Sequence, residues 1–249
     1  MTTEEKEILA RARELSKRAY SRGIYTRTNF LTEGEAALIA DEKPDLGAVF
    51  LGGSAEAERC VALFGTEEEM GYPWVSDLAI LKISPLSQKF ADTLSHRDFL
   101  GALLNLGIKR DLLGDLFVFE NVGFLVTFEQ MVPYFTENLT RVKHTSVKVE
   151  LCDALPEGVG ASFEERFVVA ASSRLDAVIS AVWNLSRQEG KKLVEAQRVS
   201  IRGKMILSPE RSLIEGDRVS VKGFGRFYFD GEEKKTRSGR GRMKVRMFI

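Results

Sequence analysis

Two arginines stand at predicted helix starts in the C-terminal third of the sequence. Arg174 begins the segment Arg-Leu-Asp, and Arg187 follows Ser186 at the start of the next predicted helix. A helix N-terminus presents unpaired N–H groups and a partial positive charge, and a guanidinium adds a planar pair of donors. Both helix starts are therefore candidate sites for phosphate or another anion.

The charge of the chain is distributed in a way that agrees with anion binding. The 249 residues have a formal net charge of zero, yet residues 172–249 contain 18 Lys and Arg against 9 Asp and Glu, a balance of +9. Residues 1–171 carry the compensating −9. We therefore expect the C-terminal part to attract polyanions and the N-terminal part not to do so.

Capping patterns and turns predict the elements that hold these cations. Ser173 and Asp176 have the spacing of a capping box before one helix, and Ser186 and Glu189 repeat it before a second. The other predicted elements are a hairpin over 199–207 that turns at Arg202-Gly203, a strand over 218–221, and a last hairpin of 224–229 against 243–249, joined by the basic, glycine-containing loop 234–242. Such a loop can adapt to a phosphate backbone.

The preceding residues predict two more modules, which makes the chain an α+β multidomain protein. We expect a small α/β unit over 1–74, a ferredoxin-like domain over 75–158 and the basic module over 172–249. The first unit is predicted to contain a helix over 4–20 ended by Gly23, a helix over 33–40 capped by Thr32 and Glu35 and closed by Pro44, a strand over 48–51, a turn at Gly52-Gly53 and a helix over 55–64.

The second module is predicted to have the order β-α-β-β-α-β. Its elements are a strand over 78–83, a helix over 98–106, a hairpin of 115–120 and 124–128 that turns at 121–123, a helix over 133–139 and a strand over 147–151, followed by a linker at 156–160. RNA-recognition motifs share this order with many proteins that do not bind RNA.

Four short motifs occur in order between residues 173 and 222. They are Arg174-Leu175-Asp176, Ser186-Arg187, Val199-x-Ile201-x-Gly203-Lys204 and Gly216-Asp217-x-Val219. In this order and spacing they resemble the signature of the S4-type (alpha-L) RNA-binding domain. With the segments 96–101 (His-Arg-Asp-Phe-Leu-Gly) and 223–227 (Gly-Phe-Gly-Arg-Phe), the whole chain resembles the YlmH family of bacterial S4-domain proteins.

The resemblance implies a function in ribosome-associated quality control. It implies binding to the large ribosomal subunit that carries peptidyl-tRNA after stalling, with the S4-type face on ribosomal RNA and tRNA, and a link to cell division. It places Arg174, Ser186, Arg187, Lys191, Arg202 and Lys204 on RNA. With the charge pattern added, the predicted RNA-binding residues are Arg174, Asp176, Ser186, Arg187, Lys191, Lys192, Arg198, Arg202, Lys204, Lys222, Arg226, Lys234, Lys235, Arg237, Arg240 and Arg242.

Two residues depart from the S4-type pattern. Gln197 stands where such domains usually have Gly at the end of the second helix, and a side chain at positive φ costs up to about 1 kcal/mol there. Gly190 replaces the usual Ala inside that helix, which costs roughly 1 kcal/mol unless close packing compensates. We expect an effect on stability and none on the basic face.

Three other motifs suggest different chemistry, and a structural role is the better hypothesis for each. His96-Arg97-Asp98 has neither the Asn spacing of a kinase catalytic loop nor the Leu of a pseudouridine-synthase loop, so we expect a helix start with a local ion pair. Gly52-Gly53 lacks the further glycines or the lysine of a nucleotide-binding loop, so we expect a tight turn. The aromatic hairpin between Phe117 and Phe128 is expected to pack in the core and not to stack bases.

Composition excludes several function classes. No apolar run approaches the roughly 20 residues of a membrane span, and the acidic N-terminal segment is unlike a secretory signal, so we expect a cytoplasmic protein. Cys60 and Cys152 are isolated, and His96 and His144 lie in no catalytic motif, so we expect neither metal, cofactor, small-molecule substrate nor catalysis. The alternatives are an RNA-modifying enzyme of the pseudouridine-synthase type, anchored by its S4-type domain, and a scaffold that uses the acidic N-terminal part.

Overall fold

The chain forms two compact units, Met1–Gly160 and Ala161–Ile249. The computed structural model describes residues 2–41, 46–54, 57–160, 162–235 and 240–249, except for the side chain of Lys235. Both units combine helices with antiparallel sheets, which confirms the expected α+β class. Within these ranges, no helix is at once long enough and apolar enough to cross a bilayer.

The first part of unit 1 packs helices on a small antiparallel sheet. Its elements are α1 (Thr3–Arg22), β1 (Thr26–Arg27), α2 (Glu33–Asp41), β2 (Ala48–Gly52), β3 (Cys60–Phe64) and α3 (Glu67–Met70), with the strand order β1-β3-β2. The predicted helix ends are present: Gly23 ends α1 with a φ of 61°, and the Thr32 N–H donates to Glu35 Oε2 at 2.6 Å. Pro44, expected to close α2, lies outside the described residues.

The central strand of this sheet replaces a predicted helix. The helix expected over 55–64 is wrong, because residues 60–64 form β3 and pair with β1 on one side and β2 on the other. A short apolar run such as Cys-Val-Ala-Leu-Phe fits a buried strand and a helix equally well by periodicity. Pairing with β1 and β2 favours the strand over a helix, because it satisfies the backbone donors and acceptors of β3.

The second part of unit 1 is built on a five-stranded antiparallel sheet. Its elements are β4 (Leu78–Pro85), α4 (His96–Asn105), β5 (Leu113–Phe119), β6 (Val122–Phe128), α5 (Val132–Asn138), β7 (Arg141–Val142) and β8 (Thr145–Cys152), with the strand order β5-β6-β4-β8-β7. The predicted β-α-β-β-α-β order is present, with β7 added. The hairpin turns at Glu120 and Asn121, with φ of 46° and 67°, one residue before the expected turn at 121–123.

Apolar packing joins the two parts of unit 1. The rings of Phe30 and Phe128 stack with their centroids 4.6 Å apart, and both residues lie in a buried cluster with Val61 and Val126. The boundary expected near residue 74 therefore falls inside one compact unit.

Unit 2 places two helices on one face of a six-stranded antiparallel sheet. Its elements are β9 (Phe163–Ala170), α6 (Leu175–Val182), α7 (Arg187–Glu195), β10 (Val199–Ile201), β11 (Lys204–Met205), β12 (Asp217–Val221), β13 (Gly225–Lys235) and β14 (Gly241–Phe248), in the order β11-β10-β12-β13-β14-β9. Val178 and Leu193 of the helices share a core with Phe227 and Val245 of the sheet. The unit begins before the expected residue 172, because β9 pairs along its length with β14.

The two helix starts of unit 2 differ from each other. The expected capping box of Ser173 is wrong, because Arg174 is the N-cap of α6 and no side chain caps this helix. The box of Ser186 is confirmed: its Oγ accepts the Glu189 N–H at 3.2 Å, and its own N–H donates to Glu189 Oε2 at 2.8 Å.

The last hairpin has longer strands than expected. Lys234 and Arg242, both expected in the connecting loop, are partners across β13 and β14. The structure does not describe residues 236–239, so the predicted contact Arg237 lies outside its scope.

Candidate nucleic-acid interface

A buried carboxylate brings the two predicted arginines together at the starts of α6 and α7. Arg174 Nε and Nη2 donate to Asp176 Oδ1 and Oδ2 at 3.1 and 3.0 Å, and Arg187 Nε lies 3.5 Å from Oδ2. The Asp176 side chain is 3% exposed, whereas that of Arg187 is 53% exposed. One buried acceptor thus holds two cations at the surface and limits their rotamers, which reduces the entropy lost when they bind a ligand.

The protonation state of Asp176 supports this arrangement. Burial disfavours its ionised form, but the hydrogen bond from Arg174 and the charges of Arg174 and Arg187 outweigh burial, so the pKa of Asp176 lies below its ordinary value. Asp176 is therefore a carboxylate at neutral pH. Its buried side chain positions the two arginines.

The hairpin of β10 and β11 also pairs an exposed arginine with a buried aspartate. Arg202 Nε lies 3.1 Å from Oδ1 of Asp217, whose side chain is 1% exposed. Arg202 and Gly203 make the predicted turn, with φ of 48° and 72°. Lys204, the next predicted contact, is half-buried on β11. A second buried aspartate thus pairs with a third arginine.

The remaining predicted residues of this part of unit 2 have no buried aspartate as a partner among the contacts described for them. Lys191 Nζ lies 3.5 Å from Glu195 Oε1 along α7, and Lys192 is exposed on the same helix. Arg198 Nη2 donates to the Lys222 carbonyl at 2.6 Å, and Lys222 is exposed.

The predicted departures at Gln197 and Gly190 have structural explanations. Gln197 has a φ of 56°, so the positive φ expected there is confirmed. A Cβ on Gly190 would overlap Ser180 Oγ and lie 2.7 Å from the Asp176 carbonyl oxygen. Glycine at this position lets α7 approach α6 closely, beside the carboxylate that holds the arginines.

Five predicted contacts lie on the last hairpin or directly beside its strands. Arg226 is placed over the Phe248 ring at 4.5 Å and Arg242 over the Phe167 ring at 4.1 Å. Lys234 is exposed on β13, and Arg240 is exposed just before β14. Lys235 lies on β13, and its side chain is outside the described set. Arg226 and Arg242 therefore lie against aromatic rings, which the sequence analysis did not anticipate.

Unit 1 contains a cationic cleft that the sequence analysis missed. Arg97, Arg141 and Lys143 line a cleft of about 480 Å³ between α4, α5 and β7. The helix start predicted at His96-Arg97-Asp98 is confirmed, but the expected local ion pair is wrong, because Asp98 Oδ2 pairs at 3.0 Å with Nζ of Lys143, which is far away in the sequence. Hydrogen bonds from Ser95, followed by that from Lys143, lower the pKa of Asp98 to about 2. Lys143, in the turn after β7, meets the helix start only in three dimensions, so no local spacing predicted this contact.

The other two structural hypotheses are confirmed in part. Gly52-Gly53 has a structural role but not as a tight turn: Gly52 ends β2 opposite Cys60 of β3, and Gly53 lies so close to β6 that a Cβ would overlap the Val126 side chain. In the aromatic hairpin, Phe124 is 4% exposed and Phe128 fully buried, so both belong to the core.

Comparisons with known proteins agree with these features. Residues 76–155 match the family model "Putative RNA-binding domain in YlmH". "Ribosome-associated protein quality control protein P2" of Bacillus subtilis (strain 168) is 30% identical over 222 residues, which cover 87% of this chain and 84% of the relative. "Cell division protein ylmH from Streptococcus pneumoniae" has a similar structure over 61% of this chain and 93% of that chain, with 22% identity and a TM-score of 0.47.

The matched domain and the exposed arginines together define the class, that of RNA-binding proteins. The identity to the Bacillus protein extends over most of both chains. The chain therefore belongs to the YlmH family, as Arg174-Leu175-Asp176 and the motifs that follow it predict.

Proposed function

We propose that this chain is a non-catalytic factor that docks on structured RNA in ribosome-associated quality control. Its partners are ribosomal RNA and tRNA on the large ribosomal subunit that carries peptidyl-tRNA, and the family's link to cell division extends to it. The observation that carries the proposal is the pairing of Arg174 and Arg187 on one buried carboxylate, Asp176. Planar guanidinium groups fixed at a surface suit the phosphates of a folded RNA.

The finer architecture belongs to the same proposal. Residues 1–74 are a small α/β module, the β4–β8 sheet is a ferredoxin-like, RRM-like domain, and residues 172–249 are an S4-type domain. The RNA-binding residues are the sixteen predicted positions, with Asp176 and Ser186 in positioning roles. The +9 balance of residues 172–249 supports the S4-type domain as the main anchor.

The cleft of Arg97, Arg141 and Lys143 is where the RRM-like domain contacts a phosphate in this proposal. Its three cations face one carboxylate, Asp98, among the residues that line the cleft. The sheet surface that RNA-recognition motifs commonly use is occupied here around Phe128, which packs against Phe30.

The salt dependence of RNA binding tests the anchor. In a titration of this chain with a ribosomal RNA fragment, we expect Arg174→Ala and Arg187→Ala each to weaken binding and to reduce the log–log salt slope by a little under 1, by analogy with other nucleic acids. Arg11→Ala is the matched control, because the Arg11 side chain is 58% exposed and pairs with Glu14 on helix α1 of unit 1. An unchanged slope in the double variant Arg174→Ala, Arg187→Ala would remove these arginines from the interface.

The enzymatic alternative has its own test. An RNA-modifying enzyme would leave a mass change in nucleosides of ribosomal RNA incubated with the protein. We expect none, and a reproducible modification would contradict the non-catalytic proposal. Sedimentation of extract, followed by identification of RNA crosslinked to this chain, would then locate the contact on the ribosome.

A further inference from the structure

One face of the unit 2 sheet carries an array of aromatic rings. Strand register places Phe163 beside Phe248, and Tyr228 beside Arg246, on the face opposite α6 and α7. The rings of Phe163 and Phe248 lie with centroids 4.8 Å apart, and those of Tyr228 and Phe248 stack at 5.5 Å. Phe167 extends the row along β9. We call Phe163, Phe167, Tyr228 and Phe248 the aromatic sheet face.

Arginines are interleaved with these rings. The guanidinium carbon of Arg242 lies 4.1 Å from the Phe167 ring centroid, and that of Arg246 lies 5.2 Å from Phe163 and 5.0 Å from Tyr228. Arg226 lies over Phe248. Guanidinium planes on aromatic rings make flat, cationic surfaces on which a further π-system can stack.

The aromatic sheet face is accessible and cationic. Phe167 is 43% exposed, and the Arg242 side chain is 47% exposed. Among the described residues, register and ion pairs place five exposed or half-buried cations on this face against three carboxylates. The cations are Arg226, Lys234, Arg242, Lys244 and Arg246, and the carboxylates are Glu165, Asp230 and Glu233. This excess of positive charge favours binding of a polyanion over binding of an apolar protein surface that has few acidic residues.

We propose that the aromatic sheet face binds unpaired nucleotides of RNA. Exposed rings can stack on bases, and the neighbouring cations can contact the backbone between them. A duplex hides its base faces, so the occupant is single-stranded. This site rests on the proposed function and deepens it. It shares Arg226, Lys234 and Arg242 with the predicted RNA-binding residues and adds four aromatic rings that are not among them.

Binding of a fluorescent oligoadenylate to the whole chain tests this proposal. We expect Phe167→Leu, which keeps an apolar side chain but removes the ring, to weaken binding on the order of tenfold. Phe119→Leu is the matched control, since Phe119 is also a strand residue and is 45% exposed, but lies on β5 of unit 1. With 2-aminopurine in the oligonucleotide, stacking on the wild-type protein should change its emission, and Phe167→Leu should diminish that change.

The relative affinities of the variants decide whether the aromatic sheet face binds RNA. Equal affinities of wild type, Phe167→Leu and Phe119→Leu would overturn the proposal, and so would a loss confined to Phe119→Leu. If Phe167→Leu perturbs folding, Arg242→Lys replaces it, because it retains the charge and removes the planar group, and an unchanged 2-aminopurine signal would then overturn the proposal. Failure of the helix-start anchor would appear separately, as an unchanged salt slope of Arg174→Ala, Arg187→Ala on ribosomal RNA.

Discussion

At the scale of single residues, buried acids organise the exposed cations of unit 2. Asp176 holds Arg174 and Arg187, and Asp217 holds Arg202. A buried carboxylate is stable only when it is paired and hydrogen-bonded, so each aspartate depends on its arginines as much as they depend on it. The aspartate of the Arg-Leu-Asp motif is thus explained by the arginines that it pairs with, since its own side chain is buried.

Gly190 should resist replacement even though it lies inside a helix. Alanine normally stabilises such a position by about 1 kcal/mol. In Gly190→Ala, however, the new Cβ would press on Ser180 and on the Asp176 carbonyl, which is backbone and cannot rotate away. We therefore expect a loss of about 1–3 kcal/mol in the free energy of unfolding. Urea denaturation measures this loss. The unfolding is followed by the fluorescence of Trp183, which packs on Phe227 in the same unit.

Gly101 provides the control for this substitution. It lies inside α4, and a Cβ there would have no neighbour within 4 Å. Gly101→Ala should therefore stabilise unit 1 by about 0.5–1 kcal/mol. Equal effects of the two substitutions would contradict the packing explanation for Gly190.

At the scale of elements, local signals predicted the ends of helices and the turns of hairpins. Gly23 and Ser186 act through neighbours within four residues, and both were correctly placed from the sequence. The strand status of β3 depends instead on pairing with β1 and β2, which the sequence does not encode locally. β9 was missed for the same reason, since its exposed pattern gains regular structure from β14.

In the candidate site, too, contiguous sequence features were predicted, whereas features that depend on tertiary contacts were missed. The arginines at helix starts were predicted because motif and cap are contiguous, although the Asp176 bridge between them was not. The aromatic sheet face escaped prediction because Phe163, Tyr228 and Phe248 come from three separate strands. Only the strand register brings these rings together.

The contact between β5 and the segment before β3 should make unit 1 sensitive to pH. Asp115 on β5 accepts the N–H groups of Glu58 and Arg59 at 2.9 and 3.1 Å. Burial raises the pKa of Asp115 from 3.8 to about 6, against the opposing effect of these hydrogen bonds. The folded state therefore binds the proton more tightly than the unfolded state does.

It follows that the contribution of Asp115 to stability is present below pH 3.8 and is lost as the pH rises through about 6. Asp115→Asn removes the titrating group and should flatten this part of the stability profile. Urea denaturation of unit 1 at several pH values between 4 and 7, followed by Trp74 fluorescence, measures the difference. A profile that Asp115→Asn leaves unchanged would show that the carboxyl titrates normally.

At the scale of the whole molecule, charge and compactness divide the chain at nearly the same place. The acidic part ends at residue 171 in the sequence, and the first compact unit ends at Gly160. The segment between β8 and β9 contains Pro156 and exposed polar residues outside regular structure. The basic part and the acidic part of the chain thus correspond closely to separate compact units joined by a short connection.

Limited proteolysis should therefore give two fragments and not three. A glutamate-specific protease can cut after exposed Glu157, in the connection, or after Glu67, Glu68 and Glu69, near the sequence-predicted boundary at 74. The latter three lie in α3, which Thr66 caps, inside a unit whose parts share the cluster around Phe30 and Phe128. Because cleavage inside α3 needs local unfolding and cleavage in the connection does not, Glu157 should be cut first, as mass spectrometry of early fragments would show. First cleavage at 67–69 would instead indicate that the segment before residue 74 opens independently, and that Phe30 contributes little to holding it on the sheet.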